Sequence, residues 1–425
     1  MRKVRALFGG GLVLVIILAL LVAGCGTKQT ASNSGDKVKL TFLCWGSTAN
    51  MEIRKDVVAE FERTHPHIEI ETIHVPLNYE EKLQTMIAGG SAPDVFWLSP
   101  TNQMPGFAEK GVLLELDSLM EQDAQFQQEK DNYYEMAYNS GSYKGKQFGL
   151  PWIYNPETLY YNKQIFASAG LSVPDADFTL DDVIEVAKKL AKDTTGDGRL
   201  DQYGFAANEW IGFVWRFGGS LLDNNDSPTK CTLDQPEAIA GLQFLQDLVY
   251  KHNVSPSLAT NKALPNEELF LTGKLGMMAG SGYFIPKYKT IKAFDWGTTN
   301  MPAGKTKVSV AASTLTVASA TTKHPQEAWE FIKFYGGKTA QQICIDAGIA
   351  TVPVLSMASI PEITEHTQGV FQAAEVGRMM PALANYARIM DKILPKLDYL
   401  YMNRYDATKV AQDMTKGVNE VLNQK

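Results

Sequence analysis

From Val38 onward the chain alternates between two hydrophobic periods. Val38 to Trp45 is a short apolar run of strand length. The segment of about Asn50–Arg63 follows, with Ile53, Val57 and Phe61 at i, i+4 and i+8, the spacing of one helix face. His67 to Val75 predicts the next strand. Asn78 is placed to cap a helix, with Glu81 three residues on in capping-box fashion and Gly89-Gly90 ending it. Pro93-Asp94-Val95-Phe96-Trp97-Leu98 predicts a third strand. Further along, Thr179 caps a helix bearing Val183, Ala187 and Leu190 on one face. Pro236 to Tyr250 predicts another, with Ile239, Leu242 and Leu245. Leu275 to Met278 is a short strand, Val308 to Ala318 a long one, and His324 to Tyr335 the helix after it. The last 60 or so residues read mostly as helix. Strands alternating with helices imply βαβ units, an α/β fold and a mostly parallel sheet.

The first stretch stands outside this pattern. Arg2, Lys3 and Arg5 precede an apolar run from Gly11 to Val22, then Ala23-Gly24-Cys25. A charged start, an apolar middle and small residues before a cut describe a secretory signal. The run is shorter than the roughly 20 residues of a spanning helix. Val22-Ala23-Gly24-Cys25 resembles the lipobox of bacterial lipoproteins, with Val where Leu is more usual, and this implies lipid on Cys25. A cut before Cys25 removes 24 residues and leaves 401 of the 425. Residues 25–36 then form a polar tether behind the lipid. The expected location is extracytoplasmic, anchored to the bacterial cell membrane. No later stretch is long and apolar enough to span one.

Composition narrows the function. The net charge of −7 becomes −10 once the three basic residues of the signal are gone. A chain this acidic carries no electrostatic footprint for nucleic acid. Four cysteines in 425 residues are too few for a disulfide-stapled scaffold, and the three that remain after Cys25, namely Cys44, Cys231 and Cys344, are an odd number that cannot be fully paired. Cys44 sits in an apolar run as a small hydrophobe, and no sequence feature argues for a Cys231–Cys344 bridge. Metalloprotease, nucleophile-elbow, Walker and dinucleotide motifs are absent. His65-Pro66-His67 reads as a polar corner, and Asp181-Asp182 and Glu267-Glu268 as helix-start acids. The chain is expected to have no cofactor, except that one loop resembles a calcium site. Asp193, Thr195, Asp197 and Asp201 stand at positions 1, 3, 5 and 9 of an EF-hand-like loop with Gly198 at 6. Gly204 stands where the bidentate acid at 12 belongs.

Aromatic residues collect at turns and strand ends. Trp45 and Trp97 end strands, Trp152 and Tyr154 follow Leu150-Pro151, Trp210 and Trp215 precede Gly218-Gly219, and Tyr283 follows Gly280-Ser281-Gly282. Ligands of open α/β sheets bind outside the carboxyl ends of strands. Flat rings beside hydrogen-bonding groups suit the apolar faces and polar edges of sugars.

Several segments, in order across more than 300 residues, carry a family resemblance. They are Phe61-Glu62-Arg63-Thr64-His65-Pro66; Tyr79 to Asp94 with its Gly-Gly-x-x-Pro-Asp ending; and Gly145-Lys146-Gln147-Phe148-Gly149-Leu150-Pro151 leading to Leu159-Tyr160-Tyr161-Asn162-Lys163. Phe270 to Met278 and His324 to Phe331 add to them. The chain resembles the extracellular solute-binding proteins of family 1, the sugar-binding subunits of ABC importers that include maltose-binding protein. The resemblance implies a two-lobed α/β fold of the type II periplasmic-binding-protein kind, with mixed sheets flanked by helices and a ligand cleft between lobes. It places residues 37–153 and 305–337 in lobe I, and 154–304 and 338–425 in lobe II. It points to Trp45, Trp97, Ser99, Trp152, Asn155, Trp210, Tyr283 and Arg378 as ligand contacts; Tyr283 stands where many relatives have Trp. It implies a monomer that closes on a carbohydrate and delivers it to a permease whose partner ATPase supplies the energy. Two other readings stand beside this one. A receptor of the same fold for a solute such as a glycerol phosphoester would need basic residues in the cleft. A glycan-cleaving lipoprotein would need two cleft carboxylates, for which Asp94 and Glu157 are the nearest candidates.

Overall fold

The computed structural model describes residues 37–46, 48–347, 354 and 364–424. The signal, Cys25 and the tether lie outside the described residues. Eleven strands are described: β1 Val38–Cys44, β2 Ile68–His74, β3 Val95–Leu98, β4 Ser142–Tyr143, β5 Lys146–Gln147, β6 Gly149–Asn162, β7 Tyr203–Ala206, β8 Leu275–Ser281, β9 Trp296–Thr299, β10 Ser309–Ala318 and β11 Gly377–Arg378. The main sheet runs β2-β1-β3-β10-β6-β8-β7, with β11 on β10 and β9 on β6, while β4 and β5 form a small hairpin.

Most predicted elements form where the periodicity puts them. Helices span Thr48–Thr64, Tyr79–Ala88, Leu180–Leu190, Pro236–Tyr250 and Pro325–Gly336. Thr179 caps its helix in a full capping box with Asp182. Asn78 does not: it precedes its helix in the left-handed conformation, φ 55°, and its side chain makes no capping bond. The sheet is also less parallel than βαβ alternation predicts. β1 pairs in parallel with β2 and β3, and β7 with β8, but β10 is antiparallel to both β3 and β6, and β6 to β8 and β9. The antiparallel members are the two long strands that join the lobes.

From Lys37 the chain forms one unit with two main cores. The first gathers Phe42, Phe61, Phe96, Trp97, Trp329 and Tyr335. The second gathers Phe166, Phe205, Phe213, Trp215, Leu242 and the last two helices through Ile393 and Val418. Sequence alone puts residue 338 onward with the second lobe. In the structure the helix Lys338–Asp346 packs Ala340 and Cys344 into the first core, and Gln341 donates to the carbonyl of Trp152 at 2.9 Å. Cys231 lies in the second core and Cys344 in the first, so they do not pair.

β6 holds both lobes. Its first half pairs with β10 as far as Pro156↔Ala311; from Glu157↔Ser281 onward it pairs with β8. At that switch Glu157 is buried and accepts from Arg216 Nη2 at 2.8 Å, with Arg216 fully buried in the helix Trp210–Arg216. Ser309 Oγ donates to the Glu157 carbonyl, and the Arg216 carbonyl accepts from Thr306 N at 3.2 Å. Burial raises the Glu157 carboxyl above its ordinary pKa, and the Arg216 charge and hydrogen bond oppose that rise. Gly212 makes room for this: a Cβ there would stand 2.7 Å from Arg216 Nη1 and 2.8 Å from Val310 Cγ2. Removing one partner of a buried pair strands the other charge, at a cost of about 3–5 kcal/mol. Arg216→Met should therefore lower unfolding free energy by about 3–5 kcal/mol in urea denaturation. A loss below about 1 kcal/mol, typical of exposed pairs, would show that the pair does not hold this junction.

Candidate functional site

Strand sense sets the site. β1, β2 and β3 run parallel to β6, whereas β7 and β8 run against it. The carboxyl ends of the first three therefore face the carboxyl ends of the other two. Between them lie the crossing strands β6 and β10, whose burial alternates with period two. On β10, Ser309, Ala311 and Ser313 are buried, Val310 and Thr314 are partly open, and Ala312 is exposed. On β6, Ile153 and Asn155 are the partly open residues. Asn155 pairs with Ala312 and Ile153 with Thr314, so these side chains share one face and form a floor. The opposite face packs under Tyr134, Ala137, Ala374 and Met379.

One edge of β10 is open across this floor. Leu315 pairs with Leu98 of β3 and Val310 with Arg378 of β11. Among the described strands none pairs with Ala311–Thr314 on that edge. The gap from Val310 to Leu315 spans roughly 17 Å at about 3.4 Å per residue. Ser99 stands at one end of it and Arg378 at the other.

The first-lobe wall comes from the ends of β1 and β3. Trp45 is partly exposed and packs edge-on against Tyr79 at 4.7 Å and Trp97 at 5.3 Å. The Tyr79 hydroxyl donates to the Trp97 carbonyl at 2.8 Å and accepts from its N–H at 3.1 Å, fixing the end of β3. Ser99 is partly open, with its N–H held by Gln103 Oε1 at 2.8 Å. Trp97 has no exposed surface: it stacks on Trp152 at 4.5 Å and meets Phe42 edge-on at 5.6 Å. Trp152, the extra residue at the irregularity between Thr314 and Leu315, is buried too. Both rings belong to the first core, and Trp97 supports Trp45 from behind, so neither is open to the cleft as the expectation of ligand contact requires.

The second-lobe wall is built on β8 and the helix Trp210–Arg216. Asn155 Nδ2 donates to Ser281 Oγ, which also accepts from Tyr283 N at 3.2 Å. This turn holds Tyr283 outward, 60% exposed. Arg378 is partly exposed, lies over the Trp215 ring at 4.4 Å and donates to Ser220 Oγ at 3.2 Å. Trp210 is buried in the second core, so its expected contact role gives way to packing. Ile153, Ala312 and Thr314 escaped the sequence reading, although the alternation in Ser309-Val310-Ala311-Ala312-Ser313-Thr314 carries their signal.

The remaining candidates have other partners. Asp94 accepts from Thr41 N, Thr41 Oγ1 and Thr322 Oγ1 at the far end of β3, and Glu157 is held by Arg216. Asp193 accepts from the N–H groups of Thr195, Gly196 and Gly198, and Asp201 from Thr194. Among the described residues no three acids, histidines or cysteines stand together as a metal site, and in this loop the Asp193 and Asp201 carboxylates accept from the loop's own N–H and hydroxyl groups. A recess of about 280 Å³ with Asn208, Asn261, Asn266 and Tyr401 lies beside β7 and does not include the crossing strands.

Glu209 follows β7 and was not foreseen as part of the site. It is exposed as a residue, yet the surrounding protein desolvates its carboxyl and, with a smaller push from Glu157, raises its pKa to about 7. The folded state then holds this proton through a window where the unfolded chain, near 4.5, has lost it. Stability must fall as pH rises from about 4.5 to 7. Glu209→Gln should thus raise the melting temperature relative to the parent at pH 7.5 and leave it unchanged at pH 5. Equal differences at both values would sink this reading.

A family model described as bacterial extracellular solute-binding protein matches residues 45–342. The chain is 26% identical over 347 residues to the maltotriose-binding protein of Pyrococcus abyssi, covering 78% of this chain and 70% of that one. It is 24% identical over 360 residues to the galactooligosaccharide-binding protein of Bacillus subtilis, covering 83% and 82%. Among solved structures, an ABC substrate-binding protein from Listeria monocytogenes in complex with cycloalternan superposes with a TM-score of 0.79 at 25% identity, over 92% of this chain and all of that one.

Proposed function

The chain belongs to the bacterial extracellular solute-binding proteins, and from that premise we propose that it is the carbohydrate-capturing receptor of an ABC importer. The observation that carries the reading is the open edge of β10 between two walls of different lobes. Its floor is small and half polar: Ala312, Thr314, Asn155 and Ile153. Its walls present the rings of Trp45 and Tyr283 beside hydroxyl, amide and guanidinium groups. A ring with an apolar face and hydroxyl edges satisfies both kinds of surface at once. The relatives described above are named for sugars, which does not favour a phosphoester receptor.

Capture proceeds by closure of the lobes about β6 and β10. A ligand touching Trp45 on one side and Tyr283 on the other gains both contacts only when the walls approach. The closed form then presents one shape to a permease, whose ATPase supplies the energy. The receptor works as a monomer, tethered through lipid on Cys25.

A calorimetric and thermal-shift screen against mono- and oligosaccharides tests the reading. A ligand at 100 times its dissociation constant stabilises by about 2.7 kcal/mol. No shift with any carbohydrate would overturn it. With a bound sugar in hand, Trp45→Ala and Tyr283→Ala should each weaken affinity by roughly 30- to 1,000-fold, the loss of an interface anchor worth about 2–4 kcal/mol. Trp97→Ala should instead cost about 3–5 kcal/mol of stability, because it empties a core position. For the anchor, Cys25→Ala in a bacterial host should move the protein from the membrane fraction to the soluble one; retention would mean that something else holds it.

A further inference from the structure

Among the described residues, two arginines at the cleft have no carboxylate within ion-pair distance. Arg378 stands at the second-lobe end of the open edge, flat over Trp215, with one hydrogen bond to the neutral Ser220. Burial pulls its guanidinium below the usual pKa, and no acid offsets that pull. Arg54 lies behind the first-lobe wall, only 4% exposed, 4.6 Å from the Trp97 ring and 5.8 Å from that of Trp152. Its Nη1 donates to Met51 Sδ at 3.2 Å, and no acid lies within ion-pair distance among the described residues. Gly46, at φ 124° where β1 ends, leaves the space it fills: a Cβ there would stand 2.4 Å from Nη2. Three other buried or half-buried cations have acids: Arg216 has Glu157, Lys333 has Asp123 and Lys163 has Glu365; the half-buried Lys396, over the Tyr399 ring, has none among the described residues.

A desolvated cation without a counter-charge is costly, and the cost falls when an anion arrives. A planar guanidinium held against an aromatic face keeps its edge free for two parallel bonds to an oxyanion. Of the acids near the rim, Glu80 is exposed to water, and Glu209, whose carboxyl is desolvated and raised to about 7, forms no ion pair with either arginine among the described residues.

We propose that the captured sugar carries an oxyanion, a carboxylate, sulfate or phosphate ester, and that Arg378 receives it while Arg54 adds positive potential from behind the opposite wall. The inference rests on the carbohydrate reading and narrows it to acidic saccharides. The neutral hydroxyls meet the floor and rings, and the acidic group lies at the Arg378 end of the gap.

The test uses the mature protein and calorimetry on matched probes: a uronic-acid oligosaccharide, its neutral counterpart of equal length, a sulfated one, a sugar phosphate and a glycerol phosphoester. At least one oxyanionic sugar should bind tenfold or more tightly than its neutral counterpart, and that ratio should shrink with added salt. Which arm binds identifies the oxyanion. In Arg378→Gln the acidic-to-neutral ratio should fall to about one, and Arg378→Lys should restore part of it. Neutral sugars bound as tightly as acidic ones, or a ratio unchanged in Arg378→Gln, would overturn the inference and leave the carbohydrate reading intact. Binding of the phosphoester alone, or of no probe, would overturn both.

Discussion

One strand is shared by two lobes, and the molecule follows from that constraint. β6 gives its first half to β10 and the first core and its second half to β8, β9 and the second core. Its residues are buried except where the site opens. Glu157 sits at the change of partner, and its charge must be met where no water reaches. Arg216 meets it from the helix Trp210–Arg216, the same helix whose Trp215 supports Arg378. The pair therefore fixes the second-lobe wall against the crossing strands. Breaking such a pair is costly even where the intact pair adds little net stability, because the partner left behind is a buried charge.

Much of this architecture was legible. Local periodicity located β1, β2, β3, β10 and the helices, because each must bury a face and the buried face imposes its period. Strand sense was not legible. The crossing strands return through long connections, and nothing local distinguishes an antiparallel neighbour from a parallel one. The helix Lys338–Asp346 escaped for a similar reason: its apolar residues require a core without naming which, and Gln341 selects the first core by reaching the Trp152 carbonyl.

The site shows the same division. Of the strand-end residues singled out by the rule that ligands gather there, Trp45, Ser99, Asn155, Tyr283 and Arg378 stay partly or largely open. Trp97 and Trp152 do not. β3 is an unbroken apolar run, Val95-Phe96-Trp97-Leu98, and such runs belong to strands covered on both faces. The run itself argued for a core tryptophan, against the strand-end rule. Trp152 is turned inward by the irregularity in the β6–β10 register, which only the pairing reveals.

Floor and walls differ in how freely their side chains can vary. Floor positions such as Ala312 and Asn155 lie on the two strands that bind the lobes together, so their backbone is fixed by hydrogen bonds on which both cores depend. Their side chains must also be small, since bulk there would fill the gap between the lobes. Little specificity can therefore be written into the floor. The walls stand on turns after β1, β3 and β8 and on the short strand β11, where side chains change without disturbing a core. Tyr283 is the clearest case: its backbone is held by Ser281, while its ring lies edge-on to Phe284 and is largely exposed. On the proposed reading, the choice of ligand rests with such residues, and with the charge that Arg378 brings to the end of an otherwise neutral floor.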